Sequence, residues 1–288
     1  MNVFRTYSQA ELDLQYDSAA RSPELTARRD TRAARVDAAA AHIRSTTKVV
    51  LDIAYGPHAR EKIDVFQPAE PKGPLFAFIH GGYWKQRSRE EFAWMAPAFT
   101  DAGVAFASIG YPLCPEVGIG DIVDSIQQAL LHLNANAAAL GFDAKQIHVA
   151  GHSAGGHLAA MMAATDFSEL GGPAALVTSA TCVSGLFDLA PLRMVMVNAD
   201  LKITPDDVEP LSPLHLAAMP HVVVNLTVGD QEAAEFLRNT TDLSAAWRSL
   251  DVDVTDVPAP GFHHFDVLDE LGNTGRPMHS RVMRVMLG

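Results

Sequence analysis

The sequence predicts an α/β fold in which a mostly parallel central sheet carries helices on both faces. Short apolar runs alternate with helix-prone segments from residue 46 onward, and this alternation is typical of parallel sheets. Runs such as 75–79 are continuously apolar, as expected of strands that are buried on both faces. The chain has 288 residues, of which 48% are hydrophobic and 19% charged, so it can bury a large core.

Each element is predicted from a local pattern. Alternating apolar and polar residues on either side of Gly56-Pro57 predict a hairpin of two strands, 49–55 and 61–66. Gly141 is placed to stop a long helix. Further apolar runs predict strands at 75–79, 104–109, 146–150, 175–183, 221–228 and 252–257. The remaining segments predict helices near 89–101, at 120–140, at 232–250 and at 277–287.

Two segments lie outside this alternation, although we predict a single domain over 1–288. Residues 1–45 are interpreted as an N-terminal helical arm, because 8–45 is polar and alanine-rich and Pro23 suits a first helical turn. We expect its arginine-bearing face to be solvated, and the arm to pack over the core or to act as a lid over the site. Residues 186–216 carry scattered prolines, and we interpret them as a cap-like insertion over the sheet's C-terminal edge, where such folds bind ligands.

Composition argues against several classes of partner. The formal net charge is −12, and the basic cluster Arg28, Arg29, Arg32 and Arg35 is short, so nucleic acid is not expected as a partner. No stretch reaches the roughly 18 apolar residues of a membrane span, and the first residues lack a signal-peptide core. We therefore expect a cytoplasmic protein that acts on a small molecule. A homodimer is compatible with the sequence, but no residue pattern supports one.

The sequence predicts no cofactor and no metal site. Cys114 and Cys182 do not form a Cys-x-x-Cys pair, so neither a disulfide framework nor a cysteine zinc site is expected. His148, His152 and His157 do not have the spacing of a recognised zinc motif. We interpret His152 as support for the turn that contains it, and His157 as a packed residue of the following helix.

Gly-His-Ser-Ala-Gly at 151–155 is the strongest chemical signal in the sequence. It follows the apolar run 146–150 and precedes a small-residue helical stretch, and this strand, turn and helix context is that of a nucleophile elbow. Glycines at both ends of the motif allow a strained turn that holds Ser153 out from the sheet. The pattern therefore predicts Ser153 as a nucleophile.

A nucleophilic serine needs a base and an acid that orients the base. Candidate bases are the adjacent His263 and His264, which follow the last predicted strand, and we choose His264. Candidate acids are Asp230 and Glu232, which come directly after strand 221–228. The chain order of serine, acid and histidine is the order that this type of site requires.

A nucleophilic serine also needs donors for the oxyanion. His80-Gly81-Gly82-Tyr83-Trp84 follows the buried strand 75–79, and its paired glycines allow the backbone to approach a bound carbonyl group. We predict an oxyanion hole formed by the backbone of Gly81 and Gly82 together with the N–H of Ala154. The aromatic rings of Tyr83 and Trp84 are expected to wall a pocket for a flat substrate.

Together these motifs resemble the α/β-hydrolase superfamily, and within it the branch of the hormone-sensitive-lipase-like esterases and the kynurenine formamidases. The resemblance spans nearly the whole chain. The esterase-like segments are His80-Gly81-Gly82, Tyr111-Pro112-Leu113-Cys114-Pro115-Glu116 and the 151–155 motif; the formamidase-like segments are Leu14-Gln15-Tyr16-Asp17, 80–84, 151–159, Ser184-Gly185-Leu186-Phe187-Asp188-Leu189, Ser212-Pro213 and Ala234-Glu235-Phe236 with Arg238.

The resemblance implies roles for individual residues. In such formamidases the acid lies shortly before a Pro-Glu-Phe-like segment, and Ala234-Glu235-Phe236 takes that place here, which favours Glu232. Animal members more often have an aspartate, so Asp230 remains an alternative. The family histidine precedes a phenylalanine and an acidic residue, as His264 does and His263 does not.

Three functions follow as expectations. The first is a formamidase or aryl-amide hydrolase, in which Ser153 attacks the formyl or acyl carbonyl group. The second is a carboxylesterase for short-chain or aromatic esters that uses the same residues. The third is a binding protein of the same fold without catalytic activity, and the presence of serine, histidine and acid makes it the weakest of the three.

Overall fold

The computed structural model describes residues 2–17, 23–70 and 73–288, and its centre is a sheet of eight strands. The strands are β1 (Val49–Ala54), β2 (Lys62–Phe66), β3 (Leu75–Ile79), β4 (Ala105–Ile109), β5 (Ile147–His152), β6 (Val177–Val183), β7 (Val223–Thr227) and β8 (Val254–Asp256). They lie side by side in the order β1-β2-β4-β3-β5-β6-β7-β8. β1 pairs with β2, and β2 with β4, in antiparallel orientation, whereas every other pair is parallel.

Helices connect the strands and cover the sheet. The α-helices of the described residues are α1 (Gln9–Tyr16), α2 (Pro23–Thr46), α3 (Ala96–Thr100), α4 (Ile119–Ala135), α5 (Ala137–Leu140), α6 (Ala154–Ala163), α7 (Asn198–Leu201), α8 (Pro205–Leu211), α9 (Ala234–Arg248), α10 (Asp269–Gly272) and α11 (Pro277–Leu287). Short 3₁₀ helices occupy Arg89–Met95, Phe167–Leu170, Pro191–Met194 and Pro213–His215. None of the helices in this described part of the chain combines the length and apolarity that a membrane span requires.

Two apolar cores lie on opposite faces of the sheet. Side chains of α4, α6 and α9 pack with the aliphatic residues of one face. On the other face, α3 and α11 cover a cluster of phenylalanines, in which the rings of Phe76 and Phe99 stack at 4.0 Å between centroids. Because both faces are covered, β3 and β4 are buried at every residue.

The predicted fold class is confirmed. The hairpin, the strand 75–79 and the helix 277–287 are found where the sequence predicts them. The helix predicted at 120–140 is two helices, because Asn136 interrupts it and donates a side-chain hydrogen bond back to the carbonyl oxygen of His132 at 2.8 Å. The segment predicted as a helix near 89–101 begins as a 3₁₀ helix and becomes α-helical only at Ala96.

The strand register sets the position of every loop at the C-terminal edge of the sheet. Ile79 lies opposite Gly151, His152 opposite Val183, and Val183 opposite Thr227. Since these parallel strands end level with one another, the residues that follow them meet at one edge. These are the segments that the sequence marks as chemically interesting: 80–84, 153–155 and 228–232.

The N-terminal arm consists of α1 and α2, and α2 packs against the 3₁₀ helix Arg89–Met95. The expectation of a solvated arginine face was wrong for Arg32, whose side chain is only 13% exposed. Arg32 donates to Asp269 at 2.6 and 3.1 Å and lies over the ring of Trp94 at 5.0 Å. Arg28 pairs with Asp266 at 2.6 Å. Arg32 faces inward because Asp269 lies opposite it, whereas Arg28 pairs with Asp266 and stays 40% exposed.

Buried histidines make the stability of the fold depend on pH. Burial lowers the pKa of His80 to about 3, and that of His148 and His157 to about 4. The native state therefore does not bind these protons as the pH falls through about 6.5, whereas the unfolded chain does. The free energy of unfolding decreases as the pH is lowered from about 7 to 5, by up to about 1.4 kcal/mol per pH unit for each group.

Urea denaturation at about pH 7, 6 and 5 tests this expectation, because it gives the free energy of unfolding at each pH. His148→Gln removes one titrating group and makes the pH dependence shallower. The matched control is His42→Gln, which replaces an exposed histidine of α2 and retains the buried His80, His148 and His157. A pH dependence as steep in His148→Gln as in the parent protein would contradict the explanation.

Candidate active site

Ser153 stands on a sharp turn between β5 and α6. Its backbone has φ 57° and ψ −119°, a conformation that L-residues rarely adopt. The turn requires its two glycines, since a methyl group on Gly151 would lie 2.0 Å from the carbonyl oxygen of Gly155, and one on Gly155 would lie 2.0 Å from that of Ile79. The Ser153 N–H donates to the carbonyl oxygen of Val183 at 2.9 Å, which ties the turn to β6.

A cavity of about 480 Å³ opens directly beside Ser153. Its lining includes the rings of Tyr16, Tyr83, Phe92, Trp94 and Phe265, together with residues of α1 and α2. The arm therefore forms part of the cavity wall. Of segment 186–216, for which the sequence predicts a cap-like insertion, only Val195, Met196 and Val197 line the cavity among the described residues.

His264 and Glu232 meet in the interior next to this cavity. His264 Nδ1 lies 2.6 Å from Glu232 Oε2, and the Glu232 side chain has no exposed surface. Asp230 lies elsewhere: it is exposed and accepts a hydrogen bond from the N–H of Gly261 at 2.8 Å. Of the two candidate acids, only Glu232 contacts the imidazole. His264 lines the cavity together with Ser153.

The adjacent histidine has a different environment. Burial lowers the pKa of His263, whose backbone N–H donates to Asp266 at 2.8 Å. His263 does not line the cavity. Asp266 thus closes the turn that holds His264, and its carboxylate also forms an ion pair with Arg28 of the arm.

Backbone groups surround Ser153 on the side of β3. A methyl group on Gly81 would lie 3.2 Å from Ser153 Cβ and 2.5 Å from the carbonyl oxygen of His152, so the two segments touch. Gly82 has φ 107°, which favours glycine, and both glycines line the cavity. Ala154 is the first residue of α6, and the first N–H groups of a helix have no partner inside the helix.

Tyr83 and Trp84 lie in different environments. The prediction that Trp84 walls the substrate pocket was wrong. Tyr83 lines the cavity, and its hydroxyl donates to the backbone carbonyl of Tyr16 in the arm. Trp84 is fully buried and packs edge-on against the ring of His157 at 5.0 Å. The two neighbours have backbone φ values of 51° and 53°, and their successive side chains point in different directions.

His152 and Ser184 were named in the sequence motifs, but their places beside His264 and Glu232 were not predicted. The His152 ring lies 4.6 Å from that of His264, and burial, followed by the charge of His264, holds the pKa of His152 well below its usual value. Ser184, which follows β6, donates to Glu232 Oε1 at 2.5 Å. The signal for Ser184 was its place directly after a predicted strand. Within the described ranges no group of three His, Cys, Asp or Glu is arranged to hold a metal ion.

The chain is similar to known proteins over nearly its whole length. The BD-FAE family model matches residues 63–183. Kynurenine formamidase from Danio rerio is 27% identical over 280 residues, which cover 94% of this chain and 94% of that protein. The crystal structure of a putative thioesterase from Silicibacter sp. TM1040 superposes with a TM-score of 0.81 at 32% identity, over 96% of this chain and 99% of that one.

A more distant structure shares the fold. Esterase B from Lactobacillus rhamnosis, solved with an inhibitor, has a TM-score of 0.71 at 17% identity, over 91% of this chain and 95% of that one. The similarity to the formamidase and to the putative thioesterase thus extends over nearly the whole chain.

Gly155→Ala should destabilise the protein by about 3 kcal/mol or more, because the added methyl group meets a backbone carbonyl that cannot rotate away. The matched control is Gly120→Ala in α4, where no atom lies within 4 Å of the added carbon. In that control the free energy of unfolding should equal that of the parent protein or exceed it by about 0.5–1 kcal/mol. Thermal and urea unfolding measure both; equal stabilities for the two variants would contradict the described turn.

Proposed function

Because the chain belongs to the α/β-hydrolase superfamily, we propose that it is a serine hydrolase that cleaves an amide through an acyl-enzyme. In this proposal Ser153 is the nucleophile, His264 the general base and acid, and Glu232 the carboxylate that orients His264. The observation that carries it is the buried contact of 2.6 Å between His264 Nδ1 and Glu232 Oε2, beside the cavity that Ser153 lines. A carboxylate at Nδ1 keeps the proton there and leaves Nε2 as the acceptor for the serine proton.

The proposed reaction has two halves. Ser153 Oγ attacks the carbonyl carbon while His264 Nε2 takes the serine proton. The oxyanion accepts hydrogen bonds from the N–H of Ala154 and from the backbone at Gly81 and Gly82. When the C–N bond breaks, His264 returns the proton to the leaving amine, and the acyl group remains on Ser153.

Water completes the cycle. It attacks the acyl carbon, and His264 Nε2 accepts one of its protons. Collapse of the second tetrahedral intermediate breaks the bond to Ser153 Oγ, which takes the proton back from His264. The products are a carboxylic acid, which is formate for an N-formyl substrate, and the free amine.

The substrate that we propose is an N-formyl or other small acyl amide of an aromatic amine. The similarity to kynurenine formamidase over nearly the full chain supports this class. The cavity supports it as well, because aromatic side chains such as Tyr83, Phe92 and Trp94 line a volume of about 480 Å³. Flat rings pack well on such walls. A cytoplasmic location and a homodimer stay predictions.

A carboxylesterase is the second candidate function, favoured by the similarity in fold to esterases. The same residues would cleave an ester, because an alcohol needs less protonation than an amine in order to leave. The rates on N-formylkynurenine and on p-nitrophenyl acetate separate the two functions. Formamide turnover at a kcat/KM equal to or above that of the ester supports the amidase. Fast ester turnover without formamide turnover would contradict the amidase and support the carboxylesterase.

Ser153→Ala should lower kcat by roughly 10⁴-fold or more, because it removes the nucleophile and retains the fold. Steady-state kinetics measure the effect, and unchanged thermal unfolding shows that the variant is folded. The control is Ser168→Ala, an exposed serine outside the cavity, which should keep parental activity.

A covalent serine probe distinguishes an enzyme from a binding protein without catalytic activity. A fluorophosphonate should label the parent protein and Ser168→Ala, and it should not label Ser153→Ala. Absence of labelling in the parent protein, together with absence of turnover, would favour the binding protein.

A further inference from the structure

We propose that Ser184 is a positioning residue for this reaction: its hydroxyl fixes the carboxylate of Glu232 so that the other oxygen meets His264. This inference rests on the proposed function, since it concerns the acid of the same site. It adds to the site a residue that acts on Glu232 and does not line the cavity.

The strand register of the sheet places Ser184 beside Glu232. β6 ends at Val183, which lies opposite His152 of β5 and Thr227 of β7, so the next residue lies between the serine turn and the loop that carries Glu232. The Ser184 N–H donates to the carbonyl oxygen of Thr227 at 2.8 Å, which fixes its backbone. Ser184 Oγ then lies 2.5 Å from Glu232 Oε1, and both side chains are buried.

The two oxygens of Glu232 have separate tasks. Oε1 accepts from the Ser184 hydroxyl and from the N–H of Gly229 at 2.8 Å, whereas Oε2 faces His264 Nδ1 at 2.6 Å. A buried carboxylate is stable only when its lone pairs are satisfied, and a charged acceptor gains more from each donor than a neutral one. With two donors on Oε1, the carboxylate plane is held and Oε2 points at the imidazole.

The backbone of Ser184 also points to a specific role. Its φ of 50° lies in the left-handed region, where a residue with a side chain is uncommon. Glycine would adopt this conformation at lower cost, but glycine has no hydroxyl group. Ser184 does not line the cavity, and its side chain reaches the site through its hydrogen bond to Glu232.

The experiment compares Ser184→Ala and Ser184→Gly in the full-length protein, with p-nitrophenyl acetate as the substrate. Both variants lose the hydroxyl, while glycine relieves the backbone. We expect both to lower kcat by about 10- to 100-fold with KM within about twofold of the parent value, as for a hydrogen bond to a buried charge. The control is Ser108→Ala, which removes a buried hydroxyl that bonds the carbonyl oxygen of Arg89 at 2.7 Å, away from the cavity.

A double-mutant cycle separates positioning from a general loss of structure. Glu232→Gln alone should lower kcat by about 10³-fold or more. In that background Ser184→Ala should cost less than about twofold, because the carboxylate on which it acts is gone. A loss of the same size in both backgrounds would overturn the role of Ser184, as would parental kcat in Ser184→Ala and Ser184→Gly.

The cycle also distinguishes this inference from the proposed function. If Glu232→Gln keeps parental kcat, the assignment of Glu232 as the catalytic acid fails, and the role of Ser184 fails with it. If Glu232→Gln is impaired while both Ser184 variants are active, only the present inference is wrong. Thermal unfolding of each variant shows whether it is folded, and Ser184→Gly serves if Ser184→Ala does not fold.

Discussion

Two backbone segments touch at the C-terminal edge of the sheet, and the rest of the site depends on that contact. Parallel pairing of β3 with β5 brings the carbonyl oxygen of Ile79 so close to residue 155 that only glycine fits there. The same contact sets Gly81 against Ser153. The distance between the candidate nucleophile and its candidate donors is therefore fixed by main chain in the most buried part of the sheet, not by side-chain rotamers.

Polar side chains that follow the later strands lie next to this contact, and each has hydrogen-bond partners nearby. Glu232 is buried, yet three donors surround it, so its charge remains tolerable in an apolar interior. At the cavity wall, the charged side chains of the arm are likewise paired. In a chain of net charge −12, its arginine cluster lies against acidic residues of 266–269 and against aromatic rings. Complementary charge thus joins the two ends of the chain over the site.

The sequence predicted the sheet because buried parallel strands leave long apolar runs, and it predicted Ser153 because the turn needs glycines at fixed offsets. On the residues alone, the sequence did not decide whether Asp230 or Glu232 is the acid. Both are acidic and only one residue separates them, so no sequence pattern shows which side chain faces the histidine. It misplaced Trp84, since the positive φ at residues 83 and 84 has no signature in a Tyr-Trp pair. The burial of Arg32 depends on partners 237 residues away, which local periodicity does not encode.

That long separation has a consequence for how the protein is made. The helices of the arm leave the ribosome before the sheet does, but the aspartates that hold Arg28 and Arg32 are 238 and 237 residues further along the chain. Contacts so distant in sequence form late, because the loop that they close costs entropy and domains fold as units during synthesis. The wall of the cavity is thus completed only after the C-terminal segment has docked. A chain truncated before residue 266 would lack the acidic partners of Arg28 and Arg32, which hold the arm against the cavity.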